Sequence, residues 1–212
     1  MKEESNSYKV IILGEKEVGK LGILTRFIFD NFNPNNSNNK SPSNYYSKKL
    51  KLSEEKEITL DVWHISGHEK YRTLVKTFCK GAKAIILVYD ITNNRSFTEI
   101  KDYWSKQIKE YCENDIVLVI SANKSDLYDE MQVDDEIGKE FAKSIGAFFF
   151  STSAKDGSNI KDMFDYIGNK ILDPNFIFKT EKKPIYIERN NNIGGPDSIP
   201  PRFRKKHKCV IY

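Results

Sequence analysis

Cysteine is scarce in this chain. There are three in 212 residues, Cys79, Cys112 and Cys209, odd in number and far apart. That usage argues against a disulfide framework and against a zinc site, and it suits a reducing cytosol. Long apolar runs are missing as well. None approaches the roughly 20 residues that a membrane-spanning helix needs, and Met1-Lys2-Glu3-Glu4 opens no signal-peptide core. No internal repeat is present. A strong charge of one sign is also lacking: the formal net charge is +4, and the excess sits at one end. Residues 179–212 carry nine Lys/Arg against three Asp/Glu, a net +6, which leaves −2 for residues 1–178. A body of that charge is not a nucleic-acid binder. At 39% hydrophobic and 30% charged residues, the chain is long enough for one well-buried domain and a tail.

What is present begins with Gly14-Glu15-Lys16-Glu17-Val18-Gly19-Lys20-Leu21. This stretch follows the apolar run Val10-Ile11-Ile12-Leu13 and precedes a helical pattern on Leu21, Leu24 and Ile28. Strand, Gly-x-x-x-x-Gly-Lys and helix, in that order, form a phosphate-binding loop. Two glycines let the backbone curl with its N–H groups inward. The helix adds its unpaired N-terminal N–H groups and the positive end of its dipole. Lys20 supplies a charge for the β- and γ-phosphates. The usual last residue is a hydroxyl that holds magnesium; here it is Leu21.

Further along, strands are expected at Tyr8–Leu13, Lys48–Leu52, Ile58–Ile65, Ala84–Tyr89, Ile116–Ile120 and Ala147–Phe150. Helical spacing links Phe97, Ile100, Trp104, Ile108 and Tyr111, then Val133, Ile137, Phe141 and Ile145, then Ile160, Phe164, Ile167 and Ile171, with Ser158 as the N-cap of the last helix. Residues 30–44 are crowded with Asn and Ser and carry Pro34 and Pro42, which reads as a mobile loop. Alternation of strands and helices predicts an α/β fold whose mainly parallel sheet is covered on both faces. In such sheets ligands bind at the carboxyl ends of strands. Each polar motif of the chain falls just after a strand, so the motifs share one rim.

Those motifs are Ser121-Ala122-Asn123-Lys124-Ser125-Asp126, Ser151-Thr152-Ser153-Ala154-Lys155, Asp90-Ile91-Thr92 with Ser96-Phe97, and Trp63-His64-Ile65-Ser66-Gly67-His68-Glu69. Together with the loop at 14–21, they resemble the small GTPases of the Ras superfamily, most closely the Rab branch, over about residues 8–172. The resemblance implies a three-layer P-loop domain over residues 8–174 with a six-stranded, mostly parallel sheet. It follows a flexible N-terminus, residues 1–7, and precedes a flexible tail, residues 175–212. The implied ligand is GTP or GDP. Asp126 would accept hydrogen bonds from the guanine N1–H and exocyclic amine, which adenine cannot offer. Asn123 would meet the N7 edge, and Lys124 would lie along base and ribose. Ala154 would present its N–H to the guanine carbonyl, with Ser153 and Lys155 shaping that loop. Gly67 would contact a γ-phosphate.

The same resemblance exposes departures. Leu21 stands in place of the magnesium-binding hydroxyl, His64 in place of the Asp that holds magnesium through water, and His68 in place of the Gln that orients the attacking water. His68 is the candidate catalytic residue. Residues 31–44 contain no threonine, and Ser41 or Ser43 is the nearest candidate for the remaining metal ligand. Phosphoryl transfer relies on magnesium and a positioned water, so hydrolysis is expected to be slow and Mg2+ weakly held or absent. The alternatives are a pseudo-GTPase scaffold, locked with nucleotide or free of it, and, less well matched because of Asp126, an ATPase.

The tail reads as a linker rich in Pro, Gly and Asn. It ends Arg202-Phe203-Arg204-Lys205-Lys206-His207-Lys208-Cys209-Val210-Ile211-Tyr212. Cysteine, two aliphatics and a last residue make a prenylation box, though Tyr212 is an unusual final residue. The basic run beside Cys209 suits anionic lipid. The chain is therefore expected on the cytosolic face of an endomembrane or the plasma membrane, in vesicle traffic. Effectors, an exchange factor and an activating protein would meet it through residues 31–44 and 65–80.

Overall fold

Val10, Ile11, Ile12 and Leu13 are all buried, and that fact sets the architecture. A strand hydrophobic on both faces must be covered on both. The computed structural model describes residues 7–32, 45–65, 67, 72, 74–113 and 115–178. In it, the run belongs to β1 (Ser7–Leu13). The other strands are β2 (Tyr45–Lys51), β3 (Glu57–His64), β4 (Ala82–Asp90), β5 (Val117–Asn123) and β6 (Phe148–Ser151). They form one six-stranded sheet in the order β2-β3-β1-β4-β5-β6. β2 runs antiparallel to β3, and every other pairing is parallel.

Alternate residues feed two cores. Val10, Ile12, Ala84, Ile86 and Val88 face a cluster with Ile23, Phe27, Phe164 and Ile167. These last come from α1 (Lys20–Phe29) and α6 (Ile160–Leu172). Phe27 stacks on Phe164 with ring centroids 3.6 Å apart. Ile11, Leu13, Ile85, Leu87 and Tyr89 face the opposite cluster with Val75, Phe97, Ile100, Trp104 and Ala142. Here the cover is α2 (Val75–Cys79), α3 (Asn94–Glu99), a π-helical turn (Ile100–Trp104), α4 (Ser105–Tyr111) and α5 (Asp135–Ser144). The expected three-layer α/β arrangement is thus present. No described helix is long and apolar enough to cross a membrane.

Five local expectations differ. β5 runs on to Asn123, three residues past the expected Ile120, because Ser121, Ala122 and Asn123 pair with Val88, Tyr89 and Asp90. β2 starts three residues before the expected Lys48, because Tyr45, Tyr46 and Ser47 pair with Trp63, Val62 and Asp61. Ser158 does not cap α6. Asn159 occupies the cap in a left-handed conformation, with its side-chain amide donating to the Ser151 carbonyl and not capping the helix, and the Ser158 N–H donates to Asp156. Ile137 is 50% exposed, since the buried face of α5 is the one that carries Gly138 and Ala142, and Ile137 lies off it. Finally, Cys79 is joined to Cys112 by a disulfide, with Cα atoms 5.0 Å apart. Packing of α2 beside the end of α4 brings the two together across 33 residues, a proximity that spacing in sequence does not reveal.

Beyond α6 the chain turns back. Phe178 sits edge-on to Phe148, Phe150 and Tyr166, so the compact unit extends to Phe178. Replacing Phe164 by Ala removes a fully buried ring from the α1–α6 seam. The expected cost is about 3–5 kcal/mol, read as a fall in the urea midpoint with an unchanged slope.

Candidate functional site

The turn after β1 needs backbone that only glycine supplies cheaply. Gly14 has φ +142° and lies against the Val88 carbonyl, and Gly19 has φ +92° and lies against the Asn123 amide. Between them Glu17 also takes a left-handed conformation, φ 64°. The loop thereby turns back over the sheet end and delivers Lys20 to the first turn of α1. Lys20 is 5% exposed. Its Nζ donates to the Gly14 carbonyl at 2.8 Å and to the Glu15 carbonyl. Burial pushes its pKa down to about 8, with Glu15 opposing the shift. A cation held this way sits ready for an anionic ligand.

Beside it opens a cavity of about 480 Å³. Of the residues singled out in the sequence, Glu17, Gly19, Lys20, Leu21, Asn123, Lys124, Asp126, Ala154 and Lys155 line it. Gly14, Val18 and Ser153 act from behind as buried supports. Three more of the predicted nucleotide contacts lie elsewhere. Lys16 is exposed on the loop. Glu15 Oε1 accepts from Arg72 Nη2 at 2.8 Å and from Trp104 Nε1 at 3.0 Å. Gly67 is pressed on the loop backbone, where an added Cβ would fall 2.5 Å from Lys16 N.

The part of the cavity around Asn123 and Asp126 is tightly wired. Asn123 Nδ2 donates to the Val18 carbonyl at 2.8 Å, and its Oδ1 accepts from Ala154 N at 3.3 Å. Asp126 Oδ1 accepts from Ser153 Oγ at 2.7 Å, while Oδ2 lies 3.5 Å from Lys155 Nζ. Lys124, left-handed at φ 65°, pairs with Asp90 Oδ2 at 2.6 Å. The other oxygen of Asp90 is taken by Thr92 N and Oγ1. The result is a carboxylate with a charged stem beside it at one end of the cavity and a cation at the other.

Sequence reading passed over Phe32, Gly22, Thr25 and Leu127, which also line the cavity. Phe32 adds a flat apolar face suited to a planar base. It stands at the start of an Asn-rich stretch whose composition masks it. His64 also lines the cavity beside Lys20. Burial and the Lys20 charge push its pKa down to about 4, so it is neutral at pH 7. His68, Ser41, Ser43 and Cys209 fall outside the described residues.

A divalent cation at the phosphate end does not fit the residues described. Leu21 has no donor atom. Neutral His64 replaces a carboxylate, and no group of three or more His, Cys, Asp or Glu able to hold a metal occurs among the described residues.

A parallel sheet with a Gly-x-x-x-x-Gly-Lys turn between β1 and α1, and a buried lysine at that turn, defines a P-loop nucleotide-binding protein. The model of the Ras family matches residues 9–173. Ras-related protein Rab-3C of Mus musculus is 36% identical over 166 residues, 78% of this chain and 72% of that protein. Rab-3C of Bos taurus is 36% identical over 194 residues, 92% and 84% of the two chains. Ras-related protein Rab-3A of Homo sapiens is 36% identical over 166 residues, 78% and 74%. The chain belongs to the Ras family and to its Rab branch of small GTPases.

Lys20 makes stability depend on pH in a specific sense. Its folded pKa lies below the ordinary 10.5, so between about 8 and 10.5 the unfolded chain binds its proton more tightly and stability rises with pH. Thermal unfolding of nucleotide-free protein is expected to shift upward from about pH 7.5 to about pH 9.5 more in wild type than in Lys20→Met. Equal shifts would refute the buried-cation assignment.

Proposed function

We propose that the chain binds GTP and GDP in the cavity between Lys20 and Asp126, and works as a Rab-like regulator of vesicle-mediated transport with weak intrinsic hydrolysis. One observation carries the reading: Asn123, Asp126 and Ala154 meet at one end of a cavity whose other end holds Lys20. Asp126 has two carboxylate oxygens to offer paired donors, and guanine carries such a pair where adenine does not. A polar site left unpaired by the wrong base loses heavily, and that loss is the basis of discrimination.

Weak hydrolysis follows from the phosphate end. Catalysis there calls for charge neutralisation and a positioned water. Leu21 contributes neither, and His68 stands where a Gln would orient the water. The same residues favour the second reading, a pseudo-GTPase that keeps nucleotide as a structural ligand while docking partners. Partner binding has its own support. Tyr45, Trp63 and Phe78 form a partly exposed aromatic row across β2, β3 and α2, with centroids 4.6 and 6.1 Å apart. It lies beside the two segments, 31–44 and 65–80, through which effectors, an exchange factor and an activating protein would act. Membrane attachment rests on Cys209 and the basic run before it, which place the protein on a cytosolic membrane face.

Nucleotide extracted from purified protein should be GDP or GTP, and Asp126→Ala should weaken GDP by about a hundredfold or more through loss of charge-assisted hydrogen bonds. Binding of ATP equal to that of GTP would remove the guanine reading. In single-turnover assays GTP should persist far longer than its dissociation would limit. Brisk, sharply magnesium-dependent hydrolysis would contradict the slow cycle. Intact mass of the protein from its own cells should show Cys209 carrying a prenyl group.

A further inference from the structure

His64 has no task in the reading above, yet it occupies the phosphate end of the cavity. It closes β3, opposite Ile12 on β1 just ahead of the phosphate loop. Its ring shares the cavity lining with Gly19, Lys20 and Leu21. Its Nδ1 is buried and has no hydrogen-bond partner among the described residues. A buried, unpaired polar atom is rare enough in folded proteins to require an explanation. Rotation of the ring about its Cβ–Cγ bond would turn this nitrogen toward the cavity, where an arriving ligand supplies the partner. The ring is neutral at pH 7 and so carries one N–H donor. Leu21 beside it cannot bring a metal to the same phosphate.

We propose that His64 is a phosphate-binding residue: its imidazole donates a hydrogen bond to a terminal phosphate oxygen of the bound nucleotide, sharing with Lys20 the negative charge that a divalent cation would otherwise balance. This rests on the cavity being a nucleotide site and specifies how that site holds phosphate. A hydrogen bond to an anionic oxygen is shorter and stronger than a neutral one, and the phosphate gives the buried ring the partner it lacks. The phosphate charge also opposes the effect of Lys20 and raises the proton affinity of the ring. The other ionisable groups lining the cavity are Glu17, Lys124, Asp126 and Lys155, while Glu15 is engaged by Arg72. Nucleotide binding therefore takes up a proton at His64, and affinity rises as pH falls toward the raised pKa. Lys20, at about 8, stays charged throughout that range.

The test titrates fluorescent GDP into full-length, nucleotide-stripped protein, in EDTA and in magnesium, for wild type, His64→Ala and His64→Gln. Wild type should bind in EDTA within about threefold of its affinity in magnesium, and His64→Ala should lose about tenfold or more in EDTA. His64→Gln, which keeps an N–H donor, should lose less. Between about pH 7 and pH 5.5 wild type should tighten more than His64→Gln, whose profile reports the titration of the nucleotide alone. Should His64→Ala not fold by circular dichroism, His64→Gln and its pH profile decide. Strict dependence of wild type on magnesium, or parallel pH profiles for wild type and His64→Gln, would overturn the proposal and leave guanine binding intact. No GDP binding in either buffer would sink both.

Discussion

One buried amide holds the site together. Asn123 is 1% exposed and stands at the end of β5. Its nitrogen side grips the phosphate loop at Val18, and its oxygen side grips the base loop at Ala154. Two loops separated by more than a hundred residues are thus set by a single side chain. A network this fully satisfied in a low-dielectric interior fixes geometry strongly. Ser121 and Thr152, hydrogen-bonded at 2.7 Å, tie β5 to the segment that leads into Ala154. The closeness of Gly19 to the same amide explains why the loop passes over β5 with no side chain at that point.

Electrostatics divides the cavity unevenly. Around Asp126 the charges are paired: Asp126 with Lys155, Lys124 with Asp90. At the Lys20 end the lysine is desolvated and rests on backbone carbonyls. That end is therefore the less comfortable one without ligand, and binding relieves it. Glu15 could have added repulsion there, but its carboxylate is turned onto Arg72 and Trp104. Arg72 is in turn held by Glu99 and stacked over Tyr103. The loop acid has become a support for the neighbouring elements.

Much of this was legible in the residues. Continuous apolar runs marked β1, β4 and β5, and the Gly-x-x-x-x-Gly-Lys turn put Lys20 at the strand-to-helix junction, where it lines the cavity. Asn123-Lys124-Ser125-Asp126 and Ser153-Ala154-Lys155 stood out because special chemistry at a strand end leaves a local signature. What escaped notice depends on three-dimensional neighbours. Phe32 gains meaning only where the chain folds back across the cavity. The departure of His64 from a carboxylate was visible, but its neutrality comes from burial beside Lys20. Ile137 fitted a helical stripe, yet α5 packs on the sheet through Gly138 and Ala142 and leaves it outside. Glu15 looked like a loop residue facing the ligand, and only the packing of Trp104 reveals its other role.

The bond between Cys79 and Cys112 changes what α2 can do. α2 lies within the segment through which partners would act, and its far end is stapled to the outer helix layer. With the bond oxidised the helix can pivot about its anchor but cannot melt away from it, and reduction in a cytosol lifts that restraint. The surface offered by Trp63 and Phe78 would then hold one shape for as long as that bond stands, so a partner meeting that face would find it already formed.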